Sequence, residues 1–109
     1  MASVYSALLI PYTGAADPEQ TQVPSGSIYI VRDISGVYNA PFASGFRAQF
    51  SPDGSNWYSF YEAIAQAGAP SFHQEMRVVL PQGFWLRGSA SGILQVATAI
   101  ISGYVLTLP

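Results

Sequence analysis

Few side chains in this sequence are of a type that does chemistry. His73 and Glu75 stand two apart, so on a strand they would point to one face and could share a metal ion or a proton. A metal site needs further ligands, and the other acids, Asp17, Glu19, Asp33, Asp53 and Glu62, follow no ligating spacing. The pair therefore reads as a polar pair at the surface or at an interface. Serines are plentiful, but there is no Gly-x-Ser-x-Gly, and the single histidine falls in a strand-like stretch. Gly88-Ser89-Ala90-Ser91-Gly92 looks superficially like a nucleophile elbow, yet its register is wrong and no helix follows. Paired carboxylates for glycoside hydrolysis would have to come from the same six acids, whose separation in space the chain order leaves open. Cysteine is absent, which removes disulfides, thiolate metal sites and cysteine nucleophiles. The expectation is a protein that is not an enzyme and needs no metal or cofactor.

The most specific local pattern is Ser51-Pro52-Asp53-Gly54-Ser55-Asn56-Trp57. It resembles the Asp-box hairpins of sialidase-like and other sugar-handling β-proteins, but lacks the residue that the family places between Asp and Gly. A turn in which Asp53 bonds backbone amides and Trp57 packs beneath it accounts for the pattern without a ligand. The neighbouring aromatics Trp57, Tyr58, Phe60, Tyr61 and Phe72 admit two uses. Sugar rings stack on flat aromatic faces, which makes Trp57, Tyr61 and Trp85 a candidate carbohydrate platform. Protein interfaces are also rich in aromatics, and that use is preferred. Strand alternation would send Trp57 and Tyr61 to one side and Tyr58 and Phe60 to the other.

These residues sit in a chain of 109 residues that is 50% hydrophobic and 14% aromatic, which provides for one domain with a filled core. Only 9% of residues are charged, against about 25% in an average soluble domain. A small domain exposes much of its surface, so one this poor in charge is expected to cover part of itself with other protein. Four Arg, no Lys and a net charge of -2 argue against a nucleic-acid partner. The four arginines read as strand-edge or interface residues, where a planar fork makes several hydrogen bonds. The start of the chain lacks the basic residues and long apolar centre of a secretion signal. The uncharged stretch Gly88 to Pro109 is long enough to cross a bilayer, but its serines, threonines, glycines and β-branched residues suit strands better, so no membrane is expected.

Turn residues punctuate the chain at short intervals, and strands are predicted at Val4–Ile10, Ser27–Ile34, Gly45–Phe50, Trp57–Tyr61, Phe72–Leu80 and Phe84–Arg87. Residues 11–25 read as a polar loop or arm. In Gly45–Phe50, alternation puts Phe46, Ala48 and Phe50 on one side and Arg47 and Gln49 on the other. In Ser27–Ile34 both faces are largely apolar, which marks a central strand. Glu62–Gly68 allows a turn or two of helix. Ile93–Leu108 reads either as one strand with a bulge at Gly103 or as a hairpin turning at Ser102-Gly103. Val23-Pro24-Ser25-Gly26 and Leu80-Pro81-Gln82-Gly83 each lead into a strand ending in Arg, and are expected to mark equivalent corners of two sheets. The sum is a single all-β domain over residues 1–109: a small antiparallel sandwich of jelly-roll type with seven to nine strands.

The stretch from Val23 to Ile34, the stretch from Val79 to Arg87 and the closing Ile101-Ser102-Gly103-Tyr104-Val105 resemble small virion proteins of long-tailed bacteriophages, encoded among head and tail genes. That resemblance implies a structural part of a phage particle, at the capsid surface as a decoration, at the neck or at the tail, assembled in the host cytoplasm. It implies contacts with other virion proteins and no catalytic residues. Self-association in a ring or trimer would bury the apolar surface, with Ile93, Val96, Ile100, Ile101, Tyr104, Val105 and Leu106 as interface candidates. The rival reading is a carbohydrate-binding module of a phage adhesion device, built on Trp57, Tyr61 and Trp85. With no cysteine and a lone histidine, folding is predicted to be metal-independent. A strong chelator should leave the thermal melting curve unchanged, and loss of the fold on chelation would refute that expectation.

Overall fold

A computed structural model describes residues 3–12, 19–38, 44–64, 71–92 and 97–108. Among these there is no helix. Eight strands follow one another: β1 (Ser3–Tyr12), β2 (Glu19–Gln22), β3 (Ser27–Tyr38), β4 (Ser44–Ser51), β5 (Tyr58–Ile64), β6 (Ser71–Leu80), β7 (Trp85–Gly92) and β8 (Ala97–Thr107). They form two four-stranded antiparallel sheets, β1-β8-β3-β6 and β2-β7-β4-β5. Each sheet draws strands from both halves of the chain, which is the jelly-roll order. The inner faces meet over a core that includes Ile10, Val31, Ile34, Phe46, Leu86 and Ile101, each 2% exposed or less. Phe46 stacks on Phe72 across the sandwich, with ring centroids 5.7 Å apart.

The alternation read in β4 holds. Phe46 and Ala48 are fully buried, Phe50 packs against the core, and Arg47 reaches Glu62 outside. β3 lies between β8 and β6, as its two apolar faces suggested. The small-residue run from Gly88 to Gly92 is part of β7, paired with β4, and not an elbow. Its composition has a steric cause at Gly88, where a Cβ would come within 3.0 Å of the Phe46 ring.

The two Pro-x-Gly turns do mark equivalent corners. Pro24 O accepts from Ser27 N at 3.1 Å and Pro81 O accepts from Phe84 N at 3.2 Å, with Gly26 and Gly83 both at positive φ. They are two copies of one type II turn. They also hold each other: Val23 N donates to Phe84 O, Gly83 N to Val23 O, and Gly26 N to the Gln82 side chain. The end of the chain joins the same corner through Leu108 N, which donates to Gly26 O at 2.7 Å.

Four expectations are corrected. Residues 11–25 are not one loop, because 11–12 complete β1 and 19–22 form β2. β2 is a four-residue edge strand of polar residues, so no apolar alternation announced it. Glu62–Ile64 continue β5, and the rest of the stretch read as helix lies outside the described residues. The closing segment does not turn back at Ser102-Gly103, since 97–107 are one strand. The bulge belongs to its neighbours: register shifts occur on β1 between Leu8 and Ile10 and on β3 between Val31 and Asp33.

The β3 shift also interrupts the two-residue alternation expected of a strand. Val31 and Ile34 both point inward, leaving Arg32 and Asp33 side by side on the outer face. β3 comes so close that a Cβ on Gly103 would fall on the Ile30 carbonyl oxygen and lie 3.0 Å from Arg32 N. Both obstacles are backbone, which no rotamer change moves. Gly103→Ala is therefore expected to cost about 4 kcal/mol or more, at the extreme end of single substitutions. The measurement is a urea midpoint at constant slope, and a loss within about 1 kcal/mol would contradict this close packing.

Candidate functional site

The two outward faces of the sandwich differ in chemistry. On the β1-β8-β3-β6 sheet, register places Tyr104, Ile30 and Val79 in one row across three strands, with Leu106 beside Ile28 in the next. Val79 is 52% exposed and Tyr104 38%. Toward the far end of the same face, Ile100 and Val37 are also exposed and border an open cleft of about 410 Å³ with Ser35, Gly36, Ser71 and Phe72. Between these apolar ends the bulge sets a charged band. His73 Nε2 lies 2.6 Å from Asp33 Oδ1, Glu75 pairs in register with Asp33, and Arg32 reaches toward the Tyr104 ring.

Of the interface candidates, Ile100, Tyr104 and Leu106 occupy this outer face. Ile101 and Val105 do not: they are 0% and 6% exposed in the chain's own core, because residues of one unbroken strand alternate between core and outer face. Ile93 and Val96 lie outside the described residues. Alternation missed Ile28, Ile30 and Val79, whose role becomes visible only from the pairing of β3 with its neighbours.

The outer face of the β2-β7-β4-β5 sheet is polar and aromatic. Arg87 donates from Nε and Nη2 to Gln49 Oε1 at 3.0 and 2.6 Å, and its guanidinium carbon lies 3.9 Å from the Trp57 ring centroid. Gln49 is fixed in turn by donating to Ser59 Oγ. Desolvation and the nearby Arg47 charge lower the Arg87 pKa. Arg47 itself pairs with Glu62 at 2.9 Å, an exposed ion pair that contributes about 0–1 kcal/mol. Trp85, two residues before Arg87, shares this face and lies over Gly54, at which a Cβ would come 3.0 Å from the indole nitrogen. Tyr61 is not part of the set. A register shift on β5 inserts Phe60 as an extra residue, so that Phe60 and Tyr61 both pack against the core, and burial raises the Tyr61 pKa. The three-residue platform is thereby reduced to Trp57 and Trp85, with Arg87, stacked on Trp57, as the member that sequence reading missed.

The turn that carries Trp57 is built as its sequence suggested. Ser51, fully buried, accepts from Gly54 N at 2.8 Å and donates to Asp53 Oδ1. Asp53 accepts from the amides of Ser55 and Asn56, both at 2.8 Å, and from the Asn56 side chain. Among the described residues, no three His, Asp or Glu side chains gather to hold a metal, and no helix is long and apolar enough to cross a membrane.

No family model matches the chain, and no curated protein does. Solved structures do match. The chain is similar to the NLP core of Drosophila, a structure concerned with pentamer formation and histone binding, with a TM-score of 0.60, 14% identity and coverage of 94% of this chain and 96% of that one. It is similar to murine APRIL with a TM-score of 0.57, 13% identity and coverage of 99% and 100%. VP2 of infectious bursal disease virus, solved as a subviral particle, matches with a TM-score of 0.50 and 13% identity over 98% of this chain. There the chain spans 33% of the capsid protein's length. At these identities the likeness is one of fold: a small jelly roll found in a viral capsid protein and in other proteins besides.

The Asp53 hydrogen bonds, those from the Asn56 and Ser55 amides foremost, hold its carboxyl far below the ordinary value of 3.8. With the folded value depressed, the anion's contribution is complete above the ordinary value. It fades as acid protonates the unfolded chain first. Asp53→Asn is expected to lower the urea midpoint at pH 7, with the gap to the native chain closing as pH falls below 3.8. A gap independent of pH would show that the turn does not depend on the carboxylate.

Proposed function

We propose that this chain is a structural component of a virion, that of a tailed bacteriophage, and acts through contacts between its own copies rather than by catalysis. The observation that carries the reading is the apolar outer face of the β1-β8-β3-β6 sheet. Exposed apolar residues scattered singly are ordinary, but Tyr104, Ile30 and Val79 stand in register across three adjacent strands, flanked by Leu106 and Ile28. In a chain with 9% charged residues, such a row suits a closed ring or trimer. The fold supports the reading by analogy, since the Drosophila NLP core is described in terms of pentamer formation and VP2 forms a subviral particle. The phage assignment rests on the resemblance of the Val23–Ile34, Val79–Arg87 and Ile101–Val105 stretches to virion proteins. It would place the chain as a capsid decoration or at the neck or tail, next to other virion proteins.

The inner and outer faces of β8 make the test specific. Tyr104→Arg or Val79→Arg should leave the sheet spectrum intact and dissociate the assembly, whereas Val105→Arg should unfold the chain, because an unpaired charge would enter the core. Light scattering at high concentration reads the mass in each case. A native chain that stays monomeric, or an assembly indifferent to both outer-face substitutions, would overturn the reading.

A further inference from the structure

We propose that the outer face of the β2-β7-β4-β5 sheet carries a binding site for an acidic saccharide, in which Arg87 takes the sugar carboxylate and the Trp57 and Trp85 indoles bound the ring. The site lies on the sheet opposite the assembly face and does not depend on it. Arg87 is held by two neighbours before any ligand arrives: two of its donors converge on Gln49 Oε1, and its guanidinium rests over Trp57. Gln49 is 8% exposed and is itself held by Ser59. A guanidinium fixed in this way loses little freedom on binding. Among the described side chains no carboxylate forms an ion pair with Arg87; Glu62 is taken by Arg47 and Asp53 by its own turn.

The surroundings favour a sugar over an acidic peptide. Gln20 and Gln22 stand in register with Arg87 and Trp85 on β2, both exposed, with the Gln22 amide donating to Gly83 O, and the exposed Ser59 lies beyond Gln49 on the other side. Amides and hydroxyls of this kind match a ligand covered in hydroxyls, and indoles match the apolar face of a pyranose ring. The Ser51–Asn56 turn, which rests against Trp85 through Gly54, fixes the indole without contributing apolar surface.

The test is a titration of the native chain, in its native assembly state, with trigalacturonate and sialyllactose, using neutral galactotriose and triglutamate as comparisons and indole fluorescence as readout. At least one acidic saccharide should saturate the signal, bind about tenfold or more tighter than the neutral sugar, and weaken as salt is raised. Arg87→Gln and Trp57→Ala should each weaken that binding about tenfold or more, a factor of ten being the loss of one good polar contact, while Arg77→Gln on the other sheet leaves it unchanged. Should a variant fail to fold, the acidic-to-neutral ratio and its salt dependence in the native chain decide the matter. No saturation by either acidic saccharide, equal binding of the neutral sugar, or triglutamate competing as strongly as the saccharides would overturn the proposal. Light scattering on the same samples keeps this outcome separate from the assembly question.

Discussion

The close passage of the Ile30 carbonyl over Gly103 is the constraint on which the first sheet depends. β3 carries an extra residue relative to β8 at that level, and only a residue without a side chain leaves the space for it. The extra residue shifts the phase of β3, so Val31 and Ile34 both reach the core although they stand three apart. It also puts Arg32 and Asp33 next to each other outside, where Asp33 meets His73. One backbone irregularity thus completes the core and places a charged band across an otherwise apolar outer face.

The second sheet divides the work differently. Phe46, Ala48 and Leu86 fill its inner side, with Gly88 yielding space to the Phe46 ring, while its outer side is given to Arg47, Gln49, Arg87 and the two indoles. The Arg87–Trp57 stack is worth about 0.5–1 kcal/mol at a partly exposed site. Its larger consequence is geometric, because it fixes a cation that no carboxylate among the described side chains pairs with. The sandwich therefore presents one face whose apolar rows call for burial and another whose polar groups are already ordered.

Much of this was legible from residue types, and the exceptions have physical causes. Turn chemistry identified the two Pro-x-Gly corners and the Asp53 turn because Gly and Asp there are local requirements, satisfied within a few residues. Alternation read β4 correctly because both its pairings put Phe46 and Ala48 against the core. It failed at β3 and β5, where register shifts change the phase. Such shifts are properties of strand pairs, which a single strand's pattern does not contain. The same limit misassigned Tyr61 to the Trp57 side, and it counted Ile101 and Val105 among interface residues when they belong to the core. β2 escaped notice because an edge strand of four polar residues has no inward apolar set to reveal it.

The low charge of the chain acquires a more specific meaning in the folded molecule. Most of its described charges are engaged at short range: Arg47 with Glu62, Asp33 with His73, Asp53 with its own turn and Arg87 with Gln49 and Trp57. Charges committed in this way do little to keep copies of the chain apart, and Leu106, Ile28, Ile30 and Val79 bring none to the row they line. A jelly roll specifies neither a partner nor a ligand, since a similar fold is found in a structure concerned with histone binding and in a capsid protein. What distinguishes this chain is the placing of its few charges. Those described gather in the band beside the β3 bulge and on the opposite sheet, which leaves one end of the outer β8-β3-β6 surface apolar.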